Sequence, residues 1–254
     1  MSISSLPDSG RHIIVTSPMR TGSTWIVNML RELLAPAYYR YVGTNAEANA
    51  CIAAHESTVL KTHGIVDIDW VEIDSRAVFV RTLRNFKDIL VSRMLYTRHI
   101  RPSEGLDILE PEMQELVAQE KDATDEEFVR RFIEQNRLLI PWTAEIVLME
   151  RGDSERCLTL LYEELIHNPY DAMLGLALTL WPGWTEGHQQ VPAIVERFIT
   201  KGLRERQTFY RSNAVGVGGW ERYISPEQST GVDRLYFQLR AKALARPEAR
   251  NITL

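Results

Sequence analysis

The sequence contains a loop whose residue types and spacing could bind an anion. Residues 17–24 read SPMRTGST and stand between a short apolar run and a helical pattern. A strand, a glycine-containing loop and a helix start together point backbone N–H groups and the positive end of the helix dipole at one place. Arg20 adds a fixed positive charge. The residues predicted to hold one phosphate here are Arg20, Thr21, Gly22, Ser23 and Thr24.

The same loop departs from the phosphate loop of proteins that hydrolyse ATP or GTP. In the pattern G-x-x-x-x-G-K-[ST], the lysine reaches the β- and γ-phosphates. Gly22 and Thr24 fit that pattern, but Ser17 replaces its first glycine and Ser23 replaces its lysine. Ordinary ATP hydrolysis is therefore disfavoured, because its main cation is missing. A tight strand-to-helix turn without a ligand stays open as the alternative.

A second candidate phosphate site lies in residues 83–96, which read LRNFKDILVSRMLY. Arg84 ends an apolar run, and Ser92 follows it after two turns of a predicted helix. A guanidinium group and a hydroxyl group brought together in this way can bind one phosphate. The alternative is a helix capped by Asn85, with Arg84 in solvent.

The segment LKTH at residues 60–63 follows a predicted strand and ends in a histidine, His63. A neutral imidazole, with an ordinary pKa of about 6.5, can accept a proton from an alcohol near pH 7. A lone histidine is more often structural, so the position of His63 after the phosphate loop is what favours catalysis.

These segments, in this order, resemble motifs of the sulfotransferases that use 3′-phosphoadenosine 5′-phosphosulfate (PAPS). Residues 19–25 (MRTGSTW) resemble the family's P-[KR]-[ST]-G-[ST]-T-W loop, and residues 83–96 resemble its second phosphate segment. LKTH resembles the segment that carries its base, and residues 160–169 (LLYEELIHNP) resemble its Y-E-[DE]-L…N-P segment. Residues 208–225 match the family's glycine-rich region more loosely, since Arg211 needs two extra residues before Gly218.

The resemblance implies how the nucleotide would be held. Arg84 and Ser92 would grip its 3′-phosphate, and Trp25 and Tyr162 would enclose its adenine. The glycine-rich region would wrap the 3′-phosphate. The residues implied for nucleotide binding beyond the first loop are Trp25, Arg84, Ser92, Tyr162, Arg211 and Gly218.

The resemblance also implies a reaction. His63 would take the acceptor proton, Arg20 would stabilise charge on the leaving nucleotide, and Lys61 would touch the sulfuryl oxygens. The enzyme would move a sulfuryl group from PAPS to a hydroxyl or amine, releasing 3′-phosphoadenosine 5′-phosphate (PAP) and using no metal. A P-loop kinase of a small substrate and a non-catalytic nucleotide-binding protein of the same fold stay open as alternatives.

The acceptor is expected to be a small alcohol, phenol or amine, with a carbohydrate also possible. Residues 36–56 and 99–125 are expected to supply the walls of its pocket. Tyr38, Tyr39 and Tyr41 could line that pocket or simply pack.

The elements that must position these residues alternate strands with helices. Apolar runs predict strands at 12–17, 59–62, 77–83 and 157–161. Helical spacing predicts helices at 23–34, 85–98, 126–150 with a kink or break at Pro141, 162–167, 170–181, 190–199 and 232–245. Residues 102–127 are expected to be less regular. The alternation predicts an α/β fold, a central parallel sheet flanked by helices, with ligands at the carboxyl ends of the strands.

Composition bounds the remaining possibilities. The 254 residues are expected to form a single domain, with residues 1–10 as a flexible tail. The net charge of −5 disfavours nucleic-acid binding, and no apolar run is long enough to cross a membrane. Two cysteines and the absence of a signal pattern predict a cytoplasmic protein. The family's dimer segment is not matched, which leaves the oligomeric state open.

Overall fold

The chain divides into two compact units. The computed structural model describes residues 12–35, 37–63, 72–99, 111–135, 139–150, 156–200 and 216–245. The first unit comprises residues 1–84 and 149–209, and the second comprises residues 85–148 and 210–254. All the described strands lie in the first unit. The expectation of a single domain stays a prediction.

The first unit is built on a five-stranded parallel sheet. Its strands are β1 (His12–Thr16), β2 (Tyr38–Tyr41), β3 (Thr58–Thr62), β4 (Ala77–Leu83) and β5 (Cys157–Leu161), in the spatial order β2-β3-β1-β4-β5. In the centre of the sheet, Thr16 of β1 pairs with Thr62 of β3 and with Arg81 of β4. The carboxyl ends of these parallel strands therefore meet at one edge of the sheet. The predicted α/β fold is confirmed.

Helices cover both faces of this sheet. The helices of the first unit are α1 (Ser23–Leu33), α2 (Asn45–Ala54), α7 (Tyr162–His167), α8 (Pro169–Leu180) and α9 (Thr185–Thr200). Ile13 and Val15 share one apolar core with α1, α8 and α9, whereas Ile14 shares another with Cys51 and Ile52 of α2. Successive side chains of β1 point to opposite faces of the sheet, and helices cover both faces, so every residue of β1 is buried.

The second unit is helical in its described residues. Its helices are α3 (Phe86–Arg98), α4 (Pro111–Gln119), α5 (Asp125–Gln135), α6 (Leu139–Glu150) and α10 (Pro226–Ala245). The last two residues of α6, after Leu148, are assigned to the first unit. One core joins Leu90 and Met94 of α3 to Phe128 of α5 and Trp142 of α6. A short 3-10 turn at Gly219–Arg222 packs against it through Trp220. No described helix combines the length and the apolar character needed to cross a membrane.

The strand β2 was not predicted. All four of its side chains are exposed, and Arg40 interrupts its run of tyrosine residues. The strand forms at the edge of the sheet through backbone pairing with β3. Tyr38 stacks on His55 with ring centroids 3.8 Å apart, and the Tyr39 ring lies under the guanidinium group of Arg31.

Several helix bounds were wrong. The helix predicted at 126–150 is two helices, and Pro141 lies in the first turn of α6, where its missing N–H removes no helical hydrogen bond. The helix α4 lies in the segment predicted to be less regular. The last helix begins at Pro226 instead of 232, and α9 begins at Thr185 instead of 190.

Candidate active site

The loop between β1 and α1 has an unusual backbone. Gly22, the N-cap of α1, has a φ of 85°, and Arg20 has a φ of 73°, which is rare for a residue with a side chain. No side chain caps α1, and its first turn contains no acidic residue. No acidic side chain of the first turn therefore compensates the positive end of the α1 dipole, and an anionic ligand could do so.

Buried hydroxyl groups attach this loop to β4. The Thr82 N–H donates to Ser17 Oγ at 2.8 Å, and the hydroxyl oxygens of Thr82 and Thr21 lie 2.7 Å apart. Thr21 Oγ1 also donates to the carbonyl oxygen of Pro18 at 2.8 Å. Because the Thr21 side chain is fully buried in these contacts, it positions the loop. A contact of Thr21 with phosphate would come from its backbone N–H.

Arg84 supports the same loop from the end of β4. Its Nη1 donates to the carbonyl oxygen of Arg20 at 3.0 Å, and its guanidinium carbon lies 4.2 Å from the centre of the Tyr162 ring. A Cβ atom added to Gly22 would come within 3.0 Å of Tyr162 Cδ2. The close approach of Tyr162 and the positive φ of this position therefore both favour a glycine at position 22.

Lys61 brings a second cation to the start of α1. Its Nζ donates to Thr24 Oγ1 at 2.6 Å. Burial, and secondarily the positive charge of Arg20, lower the pKa of Lys61 from 10.5 to about 8. An anion bound at this place would offset both effects and favour the charged form of Lys61.

His63 follows β3 at the same edge of the sheet. Its Nδ1 lies 2.9 Å from the carbonyl oxygen of Ser17. Because a carbonyl oxygen only accepts hydrogen bonds, Nδ1 must carry the proton, and Nε2 of the neutral ring is the acceptor. This is the tautomer a general base requires. The Tyr41 ring lies beside the imidazole, with centroids 5.9 Å apart and planes tilted by 48°.

The first unit contains most of the predicted site residues. They are Arg20, Thr21, Gly22, Ser23, Thr24, Trp25, Lys61, His63, Arg84 and Tyr162. Ser92 and Gly218 belong to the second unit, and Arg211 lies outside the described residues. The joint grip of Arg84 and Ser92 on one phosphate stays a prediction.

Trp25 lies partly buried against the core beneath α1, α8 and α9. Its indole Nε1 is buried and, among the described residues, has no hydrogen-bond partner. Tyr162 contacts Arg84 and approaches Gly22, as described above. The enclosure of adenine by Trp25 and Tyr162 stays a prediction.

Two residues that organise these segments were missed in the sequence. Thr82 is a fully buried hydroxyl within an apolar strand, and Asp88 is a fully buried carboxylate in the first turn of α3. The signal for Thr82 was a polar residue inside a strand expected to be buried on both faces. Asp88 lies between Arg84 and Ser92, the two residues of this segment that were predicted to bind phosphate, and was itself given no role.

A comparison with family models identifies the class of this protein. A model described as sulfotransferase domain matches residues 10–243. The chain therefore belongs to the sulfotransferase family, the PAPS-dependent enzymes that its motifs resemble. In the part of the chain that the structure describes, no three His, Cys, Asp or Glu side chains are grouped to hold a metal ion.

Solved structures share this fold at low sequence identity. Mouse sulfotransferase SULT7A1 complexed with PAP is 16% identical, with a TM-score of 0.61 over 94% of this chain and 89% of that chain. Retinol dehydratase in complex with androsterone and the inactive cofactor PAP is 15% identical, with a TM-score of 0.55 over 92% and 81%. Its complex with retinol and PAP has a TM-score of 0.56 at 15% identity, over 92% and 82%. A search of curated proteins found no match.

Proposed function

We propose that this chain transfers the sulfuryl group of PAPS to a hydroxyl or amine group of a small-molecule acceptor, with His63 as the general base. One observation carries the proposal. At the carboxyl ends of β1 and β3, the uncapped start of α1 lies beside two cations, Arg20 and Lys61. His63 lies at the same edge of the sheet with its proton on Nδ1, so that Nε2 can accept a proton. Neighbours of the same fold, solved with PAP, support the choice of nucleotide.

The residues at the start of α1 fit the 5′ end of such a nucleotide. The N–H groups of Ser23 and Thr24 and the side chains of Arg20 and Lys61 would hold its anionic oxygens. Arg84 would serve the site in two ways, by supporting the Arg20 carbonyl oxygen and by meeting the 3′-phosphate. PAPS supplies the sulfuryl group, and the protein supplies the charges around it.

His63 would accept the acceptor's proton at Nε2. The acceptor oxygen forms a bond to sulfur, the bond between sulfur and the nucleotide's bridging oxygen breaks, and PAP leaves with that electron pair. The contact of Nδ1 with the Ser17 carbonyl oxygen fixes the ring and favours the imidazolium ion that forms. The phosphate loop thus orients the base directly.

Arg20 and Lys61 would stabilise the negative charge that grows on the leaving nucleotide. Arg20 keeps its proton at any working pH, so its role is electrostatic and orienting. Lys61, with a pKa of about 8, is charged at neutral pH. Its contact with Thr24 holds that charge at the start of α1.

The acceptor is proposed to be a small alcohol, phenol or amine, with a carbohydrate as a further possibility. One neighbour of this fold, retinol dehydratase, was solved with androsterone and with retinol, which supports a small molecule. The Tyr41 ring beside His63 would offer an acceptor an aromatic surface at the base.

The proposal is tested first by nucleotide binding and then by turnover. In calorimetric titrations, PAP is expected to bind at least about tenfold more tightly than AMP, and more tightly than ATP with Mg²⁺. His63→Ala is expected to lower turnover with PAPS and an accepted phenol or alcohol by roughly 10²–10⁴-fold, because the general base is lost. Its affinity for PAP should stay within about twofold of the original value.

His167→Ala is the matched control, because His167 is an exposed histidine of the same unit, in the last turn of α7. It should retain full turnover. Preference for ATP over PAP would contradict the donor and favour phosphoryl transfer. Binding of PAP without transfer to any acceptor would favour a non-catalytic protein, and full turnover in His63→Ala would exclude His63 as the base.

A further inference from the structure

The second unit contains a buried carboxylate that the proposed chemistry does not use. Asp88 lies in the first turn of α3, with no part of its side chain exposed. Its Oδ2 accepts a hydrogen bond from the N–H of Gly218 at 2.9 Å, and its Oδ1 accepts one from the N–H of Trp220 at 3.0 Å. These two bonds fasten the glycine-rich segment to α3, from a sequence separation of 130 residues.

A buried charge of this kind is costly unless it is bonded on all sides. Asp88 meets part of that demand with two backbone N–H groups, and its position in the first turn of α3 adds the favourable field of the helix dipole. The Asn85 side chain also accepts from the Asp88 N–H. Each oxygen of the carboxylate therefore accepts a hydrogen bond from a backbone N–H group of the glycine-rich segment.

Lys87, the preceding residue, holds the same segment through its side chain. Its Nζ donates to Ser229 Oγ at 2.7 Å and pairs with Asp233 Oδ2 at 2.8 Å, both on α10. The same ammonium group lies 4.1 Å from the centre of the Trp220 ring. Lys87 and Asp88 therefore fix the ring of Trp220 and its backbone together.

The attached segment has a left-handed backbone at Gly218, whose φ is 71°. Gly218 is the N-cap of the 3-10 turn Gly219–Arg222, which contains Trp220. Ser92 is four residues beyond Asp88 and therefore lies on the same face of α3. The face of α3 that receives the Gly218 segment is thus the face that carries Ser92.

We infer that Asp88 is a positioning residue for the 3′-phosphate site, because it holds the Gly218 segment on the helix face that carries Ser92. This inference rests on the proposed function, since the family resemblance assigns both Ser92 and the Gly218 segment to that phosphate. Asp88 acts through these neighbours and does not touch the nucleotide. A carboxylate facing the phosphate would repel it, whereas one bonded to Gly218 and Trp220 orders the residues that receive it.

The test compares two nucleotides that differ only in the 3′-phosphate. The full chain is titrated calorimetrically with PAP and with AMP, as the original protein and as Asp88→Asn. The asparagine keeps the size of the side chain and can accept one N–H, but its NH₂ group then faces the other N–H. PAP affinity is expected to fall by roughly tenfold, with AMP affinity within about twofold, so the PAP-to-AMP preference falls.

Glu145→Gln is the matched control. Glu145 pairs with Arg93 of the same helix α3, so the change also removes a carboxylate that contacts α3, at a different place. It should leave the PAP-to-AMP preference within about twofold of the original. If Asp88→Asn does not fold, Asp88→Glu decides the question: its extra methylene should displace the segment and lower the preference by about threefold.

The outcomes separate this inference from the proposed function. An original protein that binds PAP no better than AMP would overturn both. An original protein with a clear preference, and an Asp88 variant that keeps it or loses both affinities equally, would overturn the positioning role alone. A loss confined to PAP in the Asp88 variant supports both.

Discussion

At the scale of single residues, the fold buries charged groups of the site at a cost to stability, and a bound anionic ligand would offset that cost. Lys61 is the clearest case, because burial and the nearby Arg20 lower its pKa to about 8. The folded protein therefore binds this proton less strongly than the unfolded chain does. The resulting cost to stability is present below about pH 8 and disappears as the pH rises towards the unfolded value of 10.5.

The first residue-scale prediction concerns pH. Under the proposed function, the charged form of Lys61 holds the anionic oxygens of the nucleotide. The affinity for PAP is therefore expected to fall as the pH rises through about 8, the pKa of Lys61 in the free protein. Lys61→Met should bind PAP roughly tenfold more weakly at pH 7 and should lose this dependence between pH 7 and pH 9. It should also be at least as stable as the original protein at pH 7. Calorimetric titrations and thermal melts over that range measure both effects.

Lys121→Met serves as the control, since Lys121 is an exposed lysine of the second unit. Its affinity for PAP should keep the original pH dependence. An undiminished fall in affinity above pH 8 in Lys61→Met would show that another group titrates.

At the scale of elements, the turn from β1 to α1 carries the strictest requirement on residue type. Gly22 combines a left-handed backbone with a Tyr162 ring so near that a Cβ atom would lie 3.0 Å from it. Gly22→Ala is expected to lower the free energy of unfolding by about 1–2 kcal/mol from the backbone alone, and more if the ring cannot move. PAP affinity should fall with it, because the start of α1 is displaced. Thermal melts and titrations measure the two effects.

Gly175→Ala is the matched control on α8. Nothing lies within 4 Å of a Cβ atom there, and its backbone has no positive φ. The change should stabilise the protein by about 0.5–1 kcal/mol, since alanine favours a helix over glycine. Equal effects of the two substitutions would contradict the special role of the β1–α1 turn.

The helix α3 shows why element-scale prediction succeeded in part. Asn85 caps it, as the sequence predicted, by accepting from the N–H groups of Lys87 and Asp88. Arg84 stands just before that cap, and its contacts with Arg20 and Tyr162 required the fold to be seen. Local chemistry fixed where α3 begins, whereas the partners of Arg84 depend on strands and loops far away in the sequence.

At the scale of the whole molecule, the chain passes between the two units three times, near residues 84, 148 and 209. The core of the second unit needs both of its segments, because Ile224 and Val232 pack with Leu90 and Phe128. Residues 85–148 alone therefore lack part of their own core. Between the two segments, the chain contributes β5 to the sheet of the first unit.

We therefore predict that the full chain unfolds in one cooperative transition, as a single domain would. Differential scanning calorimetry should give one peak, and PAP should move that peak as a whole to higher temperature. A fragment of residues 85–148 should not fold, because it lacks Ile224 and Val232. Two separate peaks, or a stably folded fragment, would contradict this prediction. Cytoplasmic location likewise stays a prediction from sequence.

Sequence patterns alone predicted most of the strands and helices, and the residues able to bind an anion or accept a proton. Apolar runs located β1, β3 and β4, whose side chains are mostly buried on both faces of the sheet, and also the more exposed edge strand β5. The sequence did not reveal β2, whose four side chains are exposed, or the helix α4, which lies in a segment expected to be less regular. Those features depend on backbone pairing and on neighbours that local periodicity does not encode.

The folded structure sets which groups several of these residues contact. It turned Nδ1 of His63 towards the Ser17 carbonyl oxygen and buried the Thr21 hydroxyl against β4. It also joined Asp88 to Gly218 across 130 residues of sequence. The physical reason is the same in each case: a hydrogen bond between distant residues depends on where the strands and helices place their backbones. Residue type and spacing specify which groups can react, and the fold specifies their partners.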